Sequence, residues 1–138
     1  GNYICYNLDS VFAEFPQLNH HQEIAQKELE IPADSFLYSK EYKDYIKYKL
    51  LIRELKAQLA AKVLKFDKKK INTLIELNPE YYYTFYLAGE CCFAEKDYER
   101  AFVYYKLALQ KEIPTEAERK LVTEKFAESR EKITVKRN

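Results

Sequence analysis

The stretch YYTFYLAGECCFAEKDYERAFVYYKLALQKEIPT, residues 82–115, decides the fold of this chain. It is 34 residues long and has a helix-forming run on each side of the turn sequence Lys96-Asp97-Tyr98. The small residue Gly89 falls in the first run and the small residue Ala101 in the second. Because helices approach to about 8–10 Å only where their side chains are small, we expect these two residues at the helix contact, with aromatic side chains beside it. The stretch therefore predicts two antiparallel helices.

These positions resemble a tetratricopeptide repeat, a helix-turn-helix unit of 34 residues. Aligned on the turn, the stretch has aromatic or small residues where the repeat has them: Phe85, Gly89, Tyr98, Ala101, Tyr105 and Ala108. Three positions depart from the pattern, because Ala88 replaces a Leu, Cys92 replaces a Tyr, and Pro114 comes one place late. The resemblance implies an all-α fold of stacked helical hairpins and a binding function.

The residues before this stretch continue the helical pattern. Ser39 is a predicted cap for a long helix over residues 40–66, in which apolar residues recur every three or four positions. Asp67 is a predicted cap for a shorter helix over residues 68–77, which Asn78-Pro79 ends. We interpret residues 40–81 as a degenerate preceding repeat with an overlong first helix.

A fifth helix is predicted after the central stretch. Thr115 and Glu118 form a capping box. The inward stripe is predicted to hold Leu121, Val122, Phe126 and Ile133. The helical domain is thus predicted to span residues 39–138. Residues 1–38 are predicted to be an irregular arm, with a β-favouring run at residues 3–6 and a helical turn that ends at Pro16.

Composition favours a folded chain and excludes several classes of partner. The sequence is 47% hydrophobic and 15% aromatic, which is typical of globular proteins. Its 23 basic and 22 acidic residues create no overall field that would attract nucleic acid. We interpret the one basic stretch, Lys62, Lys65, Lys68, Lys69 and Lys70, as a solvated helix junction. No run of 18 apolar residues occurs, so no membrane-spanning segment is predicted.

The sequence predicts no catalytic residue, no metal site and no cofactor. Cys5, Cys91 and Cys92 are odd in number and lack a C-x-x-C spacing, so they are interpreted as small apolar residues. Nothing in the stretch between Cys5 and the histidines His20 and His21 would bring the thiol within hydrogen-bond distance of either imidazole. The adjacent histidines lack the i, i+4 spacing that places two metal ligands on one helical face.

The resemblance also implies a binding face. In tetratricopeptide repeats the first helix lines a concave groove with its second, fifth, ninth and twelfth residues, which here are Tyr83, Tyr86, Glu90 and Phe93. The Lys and Asn that grip a peptide carboxylate in chaperone-binding members are absent from these positions. Two interpretations stay open: the face binds an extended apolar peptide, or it packs on the long helix and the N-terminal arm. The predicted partner is a protein or peptide, including an upstream part of the same chain.

A second resemblance concerns residues 3–15 (YICYNLDSVFAEF), residues 29–42 (LEIPADSFLYSKEY) and the helical pair after Asn78-Pro79-Glu80. They resemble the C-terminal portion of bacterial proteins similar to acyl-CoA:6-aminopenicillanic acid acyltransferase, of the N-terminal nucleophile hydrolase superfamily. The chain contains no Met and begins with Gly1, so we expect it to be a piece of a longer protein. The leading hypothesis is a non-catalytic interaction or accessory domain. The alternative is a segment of an acyltransferase or amide hydrolase whose active site lies upstream.

Overall fold

The computed structural model describes residues 13–15 and 40–137, apart from the side chains of residues 41, 136 and 137. Within these ranges the chain forms five α-helices and no strand. The helices are α1 (Lys40–Ala60), α2 (Lys68–Leu77), α3 (Tyr82–Ala94), α4 (Tyr98–Leu109) and α5 (Glu116–Arg137). The predicted all-α fold of about five helices is confirmed. The β-favouring run at residues 3–6 and most of the predicted arm lie outside the described residues, and the domain boundary near residue 38 stays a prediction.

The predicted end of the first helix is wrong, because α1 stops at Ala60 and not at Phe66. Lys62 adopts a left-handed backbone conformation, with φ of 58°. The amides of Lys62 and Val63 then donate back to the carbonyls of Leu59 and Gln58, both at 3.1 Å, which satisfies two of the last free carbonyls of the helix. Phe66 still packs in the core, at 7% exposure, from the loop that follows.

The same cap closes α3. Lys96 has φ of 65°, and the amides of Lys96 and Asp97 donate to the carbonyls of Phe93 and Cys92, both at 2.9 Å. This pair of bonds is the Schellman arrangement, and here Lys occupies the position where Gly is usual. The chain therefore turns into α4 within three residues.

Side chains cap the N-termini of three helices. Asp67 accepts from the Lys69 amide at 2.9 Å, as predicted for α2, and Asp97 accepts from the Arg100 amide at 3.2 Å in α4. At α5, Thr115 Oγ1 accepts from the Glu118 amide at 3.1 Å. The Glu118 carboxylate accepts from the Tyr82 hydroxyl, so it ties α5 to α3.

Helices α3 and α4 form an antiparallel hairpin. Residues later in α3 contact residues earlier in α4. Phe85 clusters with Ala108, Gly89 faces Tyr105, and Phe93 contacts Tyr98 with ring centroids 5.1 Å apart. Helix α5 then packs on α4, where Phe102 and Phe126 stack with centroids 4.7 Å apart. The core of this half joins α3, α4 and α5.

The second part of the core joins α1 and α2 to α3. Its fully buried members include Tyr45, Tyr48, Leu55, Ile71, Leu74 and Cys91. On α5, Val122 is 1% exposed but Leu121 is 47% exposed, so Leu121 does not belong to the predicted inward stripe. Successive residues of a helix point about 100° apart, and only one of the two can face α4.

Candidate functional site

The predicted groove residues lie along α3 in steps of three, four and three, which places them on one face of the helix. We call this the α3 face: Tyr83, Tyr86, Glu90 and Phe93. All four side chains are partly buried. Tyr83 and Tyr86 are in ring contact, with centroids 5.8 Å apart, and Tyr86 also contacts Tyr105 of α4 at 6.0 Å.

The C-terminal half of the α3 face, Glu90 and Phe93, contacts α4 and α5. The Tyr105 hydroxyl donates to Glu90 Oε1 at 2.5 Å, and Lys125 Nζ lies 3.8 Å from the same oxygen. The same ammonium lies 3.7 Å from the centroid of the Phe93 ring, a cation–π distance. Glu90 and Phe93 therefore already have partners within the chain.

The N-terminal half of the α3 face contacts α1 through Tyr83. Tyr83 packs against the α1–α2–α3 core, and Lys56 Nζ lies 5.8 Å from the centroid of its ring. Tyr83 thus packs in part on the long helix, as one of the two interpretations of the α3 face expected. The result is a strip of two partly exposed tyrosines, with Lys56 beside Tyr83 and Lys125 beside Glu90 and Phe93.

The chemistry of this strip suits binding. Burial first, and then the nearby Glu90 and Tyr83, raise the pKa of Tyr86 to about 12. Burial, Glu90 and the hydrogen bond to Glu90 also raise the pKa of Tyr105. Both phenols therefore stay protonated near neutral pH; Tyr86 offers aromatic area at the surface, whereas Tyr105 is fully buried and donates to Glu90.

The residues predicted from the repeat pattern to pack between helices lie at the contacts of α3, α4 and α5. Phe85, Gly89, Ala101, Tyr105 and Ala108 are buried. Tyr98 is partly buried against Phe93. The nearest neighbour of Gly89 is the Tyr105 ring, since an added Cβ would lie 2.7 Å from its Cε1 atom. Ala101 belongs to the adjoining cluster with Cys92 and Tyr105.

The two cysteines of α3 are buried free thiols. Burial raises the pKa of Cys91 to about 12 and that of Cys92 to about 11. A protonated, buried thiol is a poor nucleophile, so neither residue is suited to covalent catalysis. Cys5, His20 and His21 lie outside the described residues.

The basic stretch borders a shallow groove between α1 and α2. The groove is lined by Lys47, Leu50, Leu51, Glu54, Lys69, Lys70 and Thr73. Lys70 is paired with Glu54 across it, whereas Lys47 and Lys69 are exposed. Counted over residues 13–15 and 40–137, no group of three or more His, Cys, Asp or Glu side chains is arranged to hold a metal ion.

A second binding arrangement, which the sequence did not predict, involves the described part of the N-terminal arm. Phe15 is fully buried against Tyr45 and Tyr48 of α1, and Asn78 donates to the backbone of Glu14. Asn78 and Glu14 are 64 positions apart in the chain, so periodicity could not connect them. The signal that was present is the opposite charge of the two regions, since residues 1–39 are acidic and residues 40–70 are basic.

Comparison with protein-family models, with curated proteins and with solved structures found no match to this chain. A separate search found that, in the part of the chain that the structure describes, no helix has both the length and the apolarity needed to cross a membrane.

Proposed function

We propose that this chain is a non-catalytic, tetratricopeptide-like helical domain that binds a protein segment across the α3 face. The observation that carries the proposal is the spacing of the helices. Ala60 and Ala94, the last residues of α1 and α3, are 34 positions apart, and so are Tyr82 and Glu116, the first residues of α3 and α5. A helical period of 34 residues is that of the tetratricopeptide repeat.

The helix caps repeat with the same period. Lys62 and Lys96, the two left-handed residues, are also 34 positions apart and close their helices with the same pair of hydrogen bonds. These spacings support an arrangement in which α1, α3 and α5 are equivalent helices of successive units, with α2 and α4 between them, although α2 and α4 begin only 30 positions apart. In arrays of this kind neighbouring units bury a continuous core and present one face for binding.

The side chains of the α3 face indicate the ligand chemistry. Tyr83 and Tyr86 provide aromatic area and Lys56 carries positive charge beside Tyr83, whereas Lys125 is already paired with Glu90 and Glu128. Tyrosine is among the usual anchors of protein interfaces, and exposed charges such as Lys56 suit the polar rim around them. We therefore expect an extended peptide that combines apolar or aromatic side chains with a carboxylate. The acyltransferase alternative stays a prediction.

The proposal is tested with short random peptides displayed on phage and selected on the folded chain. Peptides that are enriched are synthesised, labelled and titrated with variants Tyr83→Ala and Tyr86→Ala. We expect each variant to weaken binding by about tenfold or more, as truncation of an interface anchor does. Val103→Ala, at an exposed position of α4, is the matched control and should leave the affinity unchanged. No enrichment, or equal affinity for all these variants, would overturn the proposal.

A further inference from the structure

Residues 13–15 are held in a pocket on α1. Phe15 has no exposed surface, although it belongs to a segment that precedes the helices. Its ring meets Tyr45 edge-on, with centroids 5.6 Å apart, and Tyr48 at 5.8 Å in a tilted arrangement. A buried aromatic side chain in an aromatic pocket is a typical anchor for a bound segment. We call this site the Phe15 pocket.

Two polar contacts bind Glu14, the residue before Phe15. Asn78 Nδ2 donates to the backbone carbonyl of Glu14 at 2.7 Å, and Lys49 Nζ lies 2.7 Å from Glu14 Oε2. Ala13 and Glu14 are helical, and Phe15 is not. Asn78 thus donates to a carbonyl at the end of a helical turn, where carbonyls take partners from outside the helix.

The pocket is braced by bonds that do not involve residues 13–15. The Tyr48 hydroxyl and Thr84 Oγ1 lie 2.6 Å apart, and both residues are buried. This bond fixes the wall of the pocket on α1 to α3. Asn78 lies at the C-cap of α2, where its amide donates to the Leu74 carbonyl. The site is thus built where three helices meet, and the segment is seated on it.

One polar atom of the pocket is unused. Asn78 is fully buried, and its Oδ1 atom has no hydrogen-bond partner in the described part of the chain. A buried acceptor without a partner destabilises the fold, because it has lost its hydrogen bonds to water. A side-chain amide has a donor and an acceptor, which match the carbonyl and the N–H of a peptide. The Glu14 carbonyl accepts from Asn78 Nδ2, and Asn78 Oδ1 is suited to accept from an N–H group of a bound peptide.

Charge favours the same pairing. Residues 1–39 contain six acidic residues and one basic residue, a net charge of −5. Residues 40–70, which include α1 and the start of α2, contain eleven basic and four acidic residues, a net charge of +7. The Lys49–Glu14 pair is a described ion pair between these two regions. Opposite net charges speed the approach of a segment and set its preference for acidic sequences.

From these contacts we propose that the Phe15 pocket is a recognition site for a peptide in which an acidic residue precedes an aromatic one at the end of a helical turn. Glu14 and Phe15 of the chain itself are its resident ligand, and the same segment supplied on a separate molecule competes with them. The inference rests on the proposed function, a peptide-binding domain, and adds a second site with a defined ligand class.

The test uses a labelled synthetic peptide of residues 9–18, DSVFAEFPQL, and the variant Phe15→Ala, which empties the pocket. A tethered segment has an effective concentration on the order of millimolar, so the unmodified chain should bind the peptide at least tenfold more weakly than Phe15→Ala does. Control peptides with Ala in place of Phe15, or Gln in place of Glu14, should bind the variant more weakly. Equal affinity of the peptide for both proteins, or no binding to a folded Phe15→Ala, would overturn the proposal.

A second variant keeps the test decisive if Phe15→Ala does not fold. Lys49→Glu reverses the charge that meets Glu14, and the side chain of Lys49 is 36% exposed, so folding should tolerate the change. This variant should prefer a peptide with Lys in place of Glu14 over the natural peptide, and the unmodified chain should show the reverse preference. An unchanged preference would exclude recognition by Lys49. Phage-selected peptides that still depend on Tyr83 would then show that the α3 face binds while the Phe15 pocket does not.

Discussion

Gly89 sets how closely α4 approaches α3. A Cβ atom at this position would lie 2.7 Å from Cε1 and 2.8 Å from Cδ1 of Tyr105. The ring cannot move away easily, because it is fully buried and its hydroxyl donates to Glu90 at 2.5 Å. The approach of the two helices therefore depends on the absence of a single side chain.

We predict that Gly89→Ala destabilises the protein. Overpacking a close contact costs about 1–3 kcal/mol, whereas the better helix propensity of Ala returns only about 1 kcal/mol. Urea unfolding should show a net decrease of up to about 2 kcal/mol in the free energy of unfolding. In a Tyr105→Leu background the clash is removed, so there the same change should be neutral or stabilising. An increase in stability in the unmodified background would mean that Tyr105 does not pack on Gly89.

At the scale of the helices, the caps of α1 and α3 are the strained parts. Lys62 and Lys96 both have positive φ, where a side chain with a Cβ is disfavoured by roughly 1–2 kcal/mol relative to the usual region. Glycine at these positions would remove this conformational cost. Its greater conformational freedom in the unfolded chain would cancel part of the resulting increase in the free energy of unfolding.

We predict that Lys96→Gly raises the free energy of unfolding by about 0.5–1 kcal/mol. The matched control is Lys120→Gly, an exposed position inside α5, where the same substitution should lower it by about 1 kcal/mol. Thermal melts of the two variants should thus shift in opposite directions. A loss of stability in Lys96→Gly would argue against the left-handed cap at the end of α3.

The helices were predictable from sequence to the extent that their signals are local. Asp67 and Thr115 mark helix starts, and both side chains accept an amide of the first turn as predicted. The Glu118 half of the predicted capping box is not shown, because the Glu118 carboxylate accepts from Tyr82. The end of α1 was missed because Lys, unlike Gly, does not mark a left-handed residue, and because Val63 and Phe66 continue the apolar spacing while they lie in the following loop.

The sites were predictable only in part, for the same reason. Spacing alone places Tyr83, Tyr86, Glu90 and Phe93 on one face of α3. The lysines that border this face come from α1 and α5, and no repeat of three or four residues reports contacts between distant helices. The Phe15 pocket joins residues that are more than thirty positions apart, such as Glu14 with Lys49 and with Asn78. Such pairs become visible only when the helices are assembled.

At the scale of the whole molecule, the core is unusually rich in ionisable groups that must stay neutral. Burial raises the pKa of Cys92 to about 11 and that of Cys91 to about 12, from an ordinary value of 9.0. Burial also raises the pKa of Tyr81 and of Tyr86 to about 12, from 10.0. The pKa values of Tyr48, Tyr82 and Tyr105 are likewise raised, first of all by burial.

The sign of the resulting pH dependence follows from proton binding. Between pH 9 and pH 12 the unfolded chain loses these protons while the folded chain retains them, so the folded state binds more protons and its stability falls as pH rises. The stability of the folded state is fully present below pH 9. It declines first as the unfolded thiols ionise, and more steeply above pH 10 as the unfolded phenols follow.

We therefore predict that the urea midpoint is constant from pH 7 to 8.5 and falls progressively between pH 9 and pH 11, with circular dichroism as the measurement. The double variant Cys91→Ala and Cys92→Ala separates the two contributions, because it should remove the decline between pH 9 and 10 and keep the decline above pH 10. Tyr105→Phe should do the opposite, leaving the first part and reducing the second. A midpoint that stays level up to pH 11 in the unmodified chain would mean that these side chains ionise freely in the folded state, which is incompatible with a core packed around them.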